Sequence, residues 1–507
     1  MKKYLTVSQM VECEQRSDKG GVSLAQLMDN AAEGLYREVT SAAYRLSAQS
    51  VCIIAGKGNN GGDGLVLARL LGSSAISVSV VLAQGTPSTD LALSAFERLG
   101  DIPVTDCADK AAAELIASAD ILVDCIFGTG FRGALREDII PLFQSIANSP
   151  AYKIACDIPS GCNADTGLCD PLSVTANLTV TFHRPKVGMA LSPAKQHCGE
   201  IRVCDIGISY KYENSDYEIY EPSLMDICKY LPPRPAGSHK GDFGRLLIVA
   251  GSGCYYGAAA LAANAALRLG AGIVQLASPS QVISVLAGSM YECTFLPFEE
   301  QDSPERLSQA INGAGAVLIG CGMGRSAHTR AVLEYILKTA RCPVVIDADG
   351  LGCLADDPSI LKAAECDTLL TPHIGELARL CGTENAAALE NRLSLCKTLS
   401  SEYETTVVSK SAGTLIVSGS SVLVTSFGNT ALSKGGSGDM LAGMAASLLC
   451  QGADMQQASA LACCILGLTA EQLSKTRSER SILARDILSA LPEVILELEG
   501  KIVSSPE

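Results

Sequence analysis

Short apolar runs alternate along this chain with longer stretches whose apolar residues recur at helical spacing. Val7, Met10 and Val11, then Leu24, Leu27 and Met28, keep a three-to-four-residue interval. They predict helix over 6–47, with Ser23 as an N-cap. Residues 51–55 (Val-Cys-Ile-Ile-Ala) form an apolar run of strand length that leads into Gly56-Lys57-Gly58-Asn59-Asn60-Gly61-Gly62-Asp63-Gly64 and a helix over 65–71. Strands follow at 76–83, 121–126, 153–157, 174–182 and 201–206, with helices at 91–99, 111–117 and 138–147. Continuous apolar strands alternating with helices predict a parallel sheet covered on both faces.

The sequence turns polar over 210–216, and Leu231-Pro232-Pro233-Arg234-Pro235 cannot be interior helix or strand. The expected domains are therefore 1–214 and 215–507, each a three-layer α/β unit. The second opens with a helix over 222–230. It continues with strands at 245–250, 273–277, 316–320, 343–347, 369–371 and 406–409, and a hairpin at 414–417 and 421–424. Helices are expected over 257–269, 437–449 and 455–474.

Polar residues collect where strands end, and in open parallel sheets those ends form the ligand crevice. In the first half these are Asn59, Asn60 and Asp63, then Asp124 followed by Gly128-Thr129-Gly130-Phe131-Arg132-Gly133, then Asp157 and Ser160. In the second they are Gly251 to Gly253, Gly320 to Gly324, Asp347 to Gly350, His373 with Glu376, and Lys410. Gly435-Gly436-Ser437-Gly438-Asp439 precedes an apolar helical run. Glycines admit close backbone approach, and the free N–H groups of a helix start attract anions. Asp439 beside such an anion could take a proton from a hydroxyl nucleophile; a Gly-rich connection capped by Asp439 is the plain alternative. His373 and Glu376, three residues apart, could share a metal, contact substrate and hydrated Mg²⁺, or simply cap a helix. Ala258, in an Ala-rich helix, allows close packing or close ligand approach.

Composition narrows the classes. The 507 residues carry a formal net charge of −15, which argues against nonspecific nucleic-acid or anionic-membrane binding. No apolar stretch reaches membrane-spanning length, and the N-terminus lacks a signal peptide pattern. The 21 cysteines show no metal-type spacing, so free thiols in a reducing cytoplasm are expected.

Taken together, the Gly58–Gly64, Gly128–Gly133 and Asp157-Ile158-Pro159-Ser160-Gly161 motifs resemble a known family. So do His239-Lys240-Gly241-Asp242-Phe243-Gly244, Thr371-Pro372-His373-Ile374-Gly375-Glu376, Lys410–Thr414 and Gly436–Asp439. The family is that of the bifunctional NAD(P)H-hydrate repair enzymes. The resemblance implies a Rossmann-like NAD(P)H-hydrate epimerase domain fused to a ribokinase-like, ADP- or ATP-dependent dehydratase domain. In the first, Asn59, Asn60, Gly61, Gly62, Asp63, Gly128, Thr129, Gly130, Phe131, Arg132, Gly133 and Ala134 would hold the nicotinamide nucleotide. Asn60, Asp124 and Ser160 would bind K⁺, and Asp157 would be the acid/base catalyst, with Arg132 assisting. In the second, Ala258, Gly324, His373 and Asp439 would contact the hydrate. Lys410, Ser411, Ala412, Gly413, Thr414 and Gly438 would bind the adenine nucleotide with Mg²⁺, and Asp439 would be the base. A cytoplasmic homo-oligomer, with no nucleic-acid or membrane partner, completes the expectation.

The chain departs from the family pattern in places. Gly350-Leu351-Gly352 stands where Ala-Leu-Asn is common, Ile374 stands where proline is usual, and Tyr255 and Tyr256 are not required by the pattern. Two rival readings exist: a ribokinase-like vitamin or small-molecule kinase with an accessory binding domain, and a non-enzymatic, RNA-binding module. Product analysis decides on the first: free orthophosphate with NADH supports the dehydratase, and a stable phosphoester supports the kinase. The acidic balance and Asp157 disfavour the second.

Overall fold

The computed structural model describes residues 1–213 and 215–503. The chain divides into two compact units, Lys3–Glu218, and Met1–Lys2 with Ile219–Glu507.

In the first unit seven parallel strands, β1 (Ser50–Ala55), β2 (Ser77–Leu82), β3 (Val104–Asp106), β4 (Ile121–Cys125), β5 (Tyr152–Cys156), β6 (Leu178–Phe182) and β7 (Glu200–Cys204), pair in the order 3-2-1-4-5-6-7. Both faces of the central strands are buried, so Val51, Ile53 and Ala55 join one core while Cys52 and Ile54 join another. Helices Leu24–Leu46 and Asn59–Leu71 cover the first face through Leu27, Leu35, Leu65 and Leu71. Helices Lys110–Ser118 and Ile140–Asn148 cover the second through Ile116, Leu142, Phe143 and Ile146. The Ser23 hydroxyl accepts from the Gln26 N–H, as expected of an N-cap. The order reverses between β1 and β4, which places the crevice of such a sheet at their C-terminal ends.

The second unit carries β8 (Arg245–Val249), β9 (Ile273–Ser278), β10 (Cys293–Pro297), β11 (Ala316–Ile319), β12 (Val344–Ile346), β13 (Thr368–Leu370), β14 (Thr406–Ser409) and the hairpin β15 (Thr414–Ser418) and β16 (Ser421–Thr425). Their order is 16-15-14-13-12-11-8-9-10; pairing is parallel from β10 to β14 and antiparallel through the hairpin. Leu246, Ile248, Leu318, Val345 and Leu369 face one core, which helices Tyr256–Arg268, Ser437–Cys450 and Met455–Ser474 complete. Alternate residues Leu247, Val317, Val344 and Leu370 are equally buried on the other face.

Several expectations need correction. The first helix after β1 begins at Asn59, not at residue 65, so Asn59 to Gly64 are its opening turns and not a loop. The helix expected over 222–230 is only Leu224–Cys228. Strands β3 and β10 and the long helix Ala484–Val503 escaped the sequence reading. Cysteines 162 and 169 form a disulfide, contrary to the expectation of free thiols.

Helix Ser437–Cys450 lies against helix Tyr256–Arg268 at glycine distance: a Cβ on Gly443 would stand 2.1 Å from the Ala262 carbonyl oxygen. Backbone cannot yield there cheaply. Alanine would gain about 1 kcal/mol of helix propensity. The overlap costs roughly 1–3 kcal/mol or more. Gly443→Ala is therefore expected to lower the midpoint of chemical denaturation of this unit; an unchanged or raised midpoint would refute the close packing.

Candidate active sites

The first site grows from the ends of β1, β4 and β5. Asp124, the fourth residue of β4, is buried and accepts from the Ser160 N–H at 2.8 Å and from the Ser160 hydroxyl at 2.5 Å. Ser160 Oγ in turn accepts from the Phe127 N–H at 2.8 Å, tying the Gly128–Ala134 segment to the turn after β5. Burial pushes the Asp124 carboxyl up to about 6, against the hydrogen bonds from Ser160 and Ile126. Asn60 packs against the same segment: a Cβ on Gly128 would meet its Oδ1 at 3.1 Å. Its buried Nδ2 has no hydrogen-bond partner among the described residues. The structure thus brings Asn60, Phe127, Gly128, Asp124 and Ser160 together. Asn59 turns aside and accepts from the Thr89 hydroxyl at 2.6 Å. Arg132 donates to the Thr129 and Phe131 carbonyls and pairs with Asp165 at 3.4 Å.

Asp157 stands in the left-handed region, at φ 66°, a conformation that non-glycine residues rarely adopt. Its Oδ1 accepts from the Thr181 hydroxyl at 3.0 Å, the Phe182 N–H at 3.2 Å, and the Lys186 ammonium. Lys186 is wholly buried and also donates to Thr181 Oγ1 at 3.1 Å. The sequence reading missed it, although it lies just beyond the C-terminal end of β6, where the strand-end argument applies. Two more carboxyls share this charge environment. Asp63 is pushed well above the ordinary value by burial and by the charges of Asp157 and Glu14. Glu14 is raised by burial, with Lys186 opposing.

The disulfide between Cys162 and Cys169 closes the loop after Gly161. Asp165 in that loop accepts from the Val7 N–H at 2.7 Å, and neighbouring Asp170 accepts from the Leu135 N–H at 3.0 Å. The loop is therefore anchored to the segment that follows Gly128–Ala134.

The second site lies at the C-terminal ends of β8 and β11 to β14. Lys410 donates to Asp347 Oδ1 at 2.7 Å, and Thr371 donates to the same oxygen at 2.7 Å. One atom thus joins the ends of β12, β13 and β14. Burial alone would raise the Asp347 carboxyl; the Lys410 ammonium and the hydrogen bonds from Lys410 and Thr371 hold it below its ordinary value. Burial would likewise lower Lys410, but Asp347 and Glu376 keep it raised. Asp439 lies in the first turn of helix Ser437–Cys450, entered through Gly436 at φ 99°. Burial, then the charge of Asp347, raises its carboxyl. The Cys321 sulfur and the Asp347 and Asp439 carboxylates lie within 4.8 Å of one another. Gly438 leaves room for Lys410: a Cβ there would sit 3.3 Å from Nζ.

His373 and Glu376 form a capping box. The His373 N–H donates to Glu376 Oε2 at 2.8 Å, and His373 Nδ1 accepts from the Gly375 N–H at 3.0 Å. The capping alternative is thus observed, while Glu376 also approaches Lys410 at 3.9 Å. The Lys410 N–H donates to the Pro372 carbonyl, which sets His373 beside the Lys410–Thr414 loop. Gly324 donates its N–H to Asp349 Oδ2 at 2.8 Å. Ala258 and Tyr255 crowd Gly322, whose absent Cβ would meet theirs at 2.9 and 2.7 Å. Where asparagine is common in the family, Gly352 makes space for Arg325, whose Cδ would be 2.7 Å from a Cβ there. Asp347, Cys321 and Arg392, which grips the Lys410 loop from beneath, were given no role from sequence.

The fold and these crevices define a protein of two parallel α/β units, each with a lysine–aspartate pair at its strand ends. Residues 24–188 match the family described as YjeF-related protein N-terminus, and residues 246–493 match the NAD(P)H-hydrate dehydratase family. The bifunctional NAD(P)H-hydrate repair enzyme of Moorella thermoacetica is 34% identical over 89% of this chain and 88% of its own. That of Escherichia coli is 32% identical over 94% and 91%. A solved structure from Streptococcus mutans, described as a hypothetical protein, is 29% identical and covers 55% of this chain and 100% of its own at a TM-score of 0.50. The chain belongs to the family of bifunctional NAD(P)H-hydrate repair enzymes.

Two measurements test the first site. Lys186→Met should destabilise its unit by about 3–5 kcal/mol, because a buried carboxylate loses its partner. Adding Asp157→Asn should restore part of that loss, and additive effects in calorimetry would contradict the pair. Thiol titration of the denatured, unreduced chain should count nineteen groups, rising to twenty-one after reduction.

Proposed function

We propose that residues 1–214 epimerise the R and S forms of hydrated NAD(P)H, and that residues 215–507 dehydrate the S form to NAD(P)H at the expense of ADP or ATP. The observation that carries this reading is the convergence of Lys410, Asp347 and Asp439 on a helix start entered through a left-handed glycine. A cation, a helix N-terminus and a carboxyl of raised proton affinity suit transfer of a phosphoryl group to a hydroxyl.

Asp439 takes the proton of the hydrate hydroxyl as its oxygen attacks the terminal phosphorus of the nucleotide. The bond from that phosphorus to the bridging oxygen breaks, releasing AMP from ADP or ADP from ATP. The phosphate then departs from the ring carbon, pushed by the ring nitrogen, and the neighbouring carbon loses a proton to restore the dihydropyridine. Water is a poor leaving group and phosphate a good one, which is the reason for nucleotide coupling. Lys410 to Thr414 and Gly438 hold the nucleotide. Ala258, Gly324 and His373 hold the hydrate, and Gly435 to Gly438 meet the charge on the transferring oxygens. Mg²⁺ bound to the nucleotide would neutralise phosphate charge beside Glu376.

In the first half Asp157 carries the proton to and from the oxygen on the epimerising carbon, and Lys186 holds its carboxylate in place. Asn59 to Asp63 and Gly128 to Ala134 enclose the nucleotide. Asn60 Oδ1, Asp124 and Ser160 Oγ form an oxygen-only donor set around a buried carboxylate, which fits K⁺; the ion would supply a fixed positive charge near the substrate. On this reading ion and substrate would share the ends of β1, β4 and β5. A cytoplasmic homo-oligomer remains part of the proposal. Among the described residues no helix is long and apolar enough to cross a membrane.

Mixing R and S hydrates with Mg²⁺, K⁺ and either nucleotide, and following recovery of dihydronicotinamide absorbance, tests the reading. Wild type should recover all of it with release of orthophosphate. Asp439→Asn should recover none, and Asp157→Asn should rapidly recover the S fraction alone. Repair by Asp439→Asn at the wild-type rate, or a stable phosphoester product, would overturn it.

A further inference from the structure

Arg392 opens helix Arg392–Tyr403 and is 6% exposed. Its Nε donates to Ser409 Oγ at 2.9 Å, and its Nη2 donates to the Ser409 carbonyl at 2.6 Å and the Gly413 carbonyl at 2.8 Å. Those two carbonyls bracket Lys410, Ser411 and Ala412, so one planar group fixes both ends of the loop. The arrangement is costly. A cation in the first turn of a helix opposes the positive end of the helix dipole. Burial pushes the guanidinium down to about 10. Among the described residues it makes no ion pair, and its hydrogen-bond partners are a hydroxyl and two carbonyls. A buried charge of this kind needs a counter-charge.

We propose that Arg392 is the positioning residue of the nucleotide loop, and that the phosphates of the bound adenine nucleotide are its missing counter-charge, acting across the loop. Drawing the carbonyls of Ser409 and Gly413 onto the guanidinium keeps two negative dipole ends away from the anion. It also sets Lys410, and with it the Asp347 pair, at a fixed height. The inference rests on the nucleotide reading given above and adds a residue that does not itself touch the ligand.

The test uses the full chain, ADP with Mg²⁺ as probe, calorimetric titration and steady-state repair kinetics. Arg392→Gln keeps a neutral donor, and Arg392→Lys keeps the charge without the fork. The expected result is a rise in Kd and KM for ADP of about tenfold or more in Arg392→Gln, equivalent to about 1.4 kcal/mol or more. The KM for the hydrate should stay within about twofold, and Arg392→Lys should fall between the two; a purely structural role would not split the two KM values in this way. The proposal is overturned if ADP affinity in Arg392→Gln matches wild type, if both KM values rise together, or if both variants lose their cooperative unfolding transition. Wild-type protein that fails to bind ADP would sink the nucleotide reading and this inference with it. Wild-type binding with an indistinguishable variant would sink the inference alone.

Discussion

An ammonium and a carboxylate that cannot separate without leaving a buried charge hold the second site together. Lys410 and Asp347 belong to strands two apart, and Thr371 from the strand between them shares the same oxygen. Breaking such a pair from one side costs roughly 3–5 kcal/mol. The relative heights of three strand ends are therefore fixed by one contact. The first unit uses the same device, since Lys186 and Asp157 lie at the ends of adjacent strands and Thr181 serves both. In each unit a threonine hydroxyl supports the carboxylate oxygen beside the lysine, and in the first unit the Phe182 N–H adds a third donor.

These pairs stand among features that do little for stability. Asp157 and Ala348 occupy positive φ, at 66° and 48°, immediately after or just beyond strands β5 and β12. Both positions follow the C-terminal end of a parallel strand, and each holds its residue at a cost in backbone strain. Arg392 opposes a helix dipole. Asn60 leaves a buried amide nitrogen without a partner among the described residues. Each crevice thus holds some strain, an unpaired polar group or an uncompensated charge that ligand binding can offset.

Most of the strands were legible, though not their order in the sheets, because a parallel strand buried on both faces must be a continuous apolar run, as at Val51 to Ala55 or Leu246 to Val249. Strand β10 was not, since at the sheet edge Thr294 is exposed, Phe295 and Leu296 are only partly buried, and the run lacks a clean period. The helix after β1 was placed late because its first turns are rich in glycine, which reads locally as loop; Gly61 and Gly62 are there because Gly56 and Met28 leave no room for a Cβ. The site aspartates were visible as polar residues at strand ends. Lys410 was visible in the same way; Lys186 and Arg392 were not. Lys186 comes four residues after β6, and Arg392 lies seventeen residues before its Ser409 partner. A lysine or arginine in sequence reads as solvated surface, and only packing reveals that it is enclosed.

The distribution of charge around Lys410 then separates the roles of three acids. Asp347 holds the ammonium directly and is kept below its ordinary proton affinity. Glu376 and Asp439 are raised, because burial penalises their charge and Lys410 compensates neither fully. Glu376 spends one oxygen on the His373 N–H and so serves the helix that positions the histidine. Asp439 lies in the first turn of a helix behind a glycine turn, with the Cys321 thiol as its polar neighbour, which lowers its proton affinity only in part. A carboxyl that already shares a lysine gains little by accepting a proton. Asp439, raised and not held by that ion pair, keeps the proton affinity a base needs at the moment a hydroxyl loses its proton to attack phosphorus.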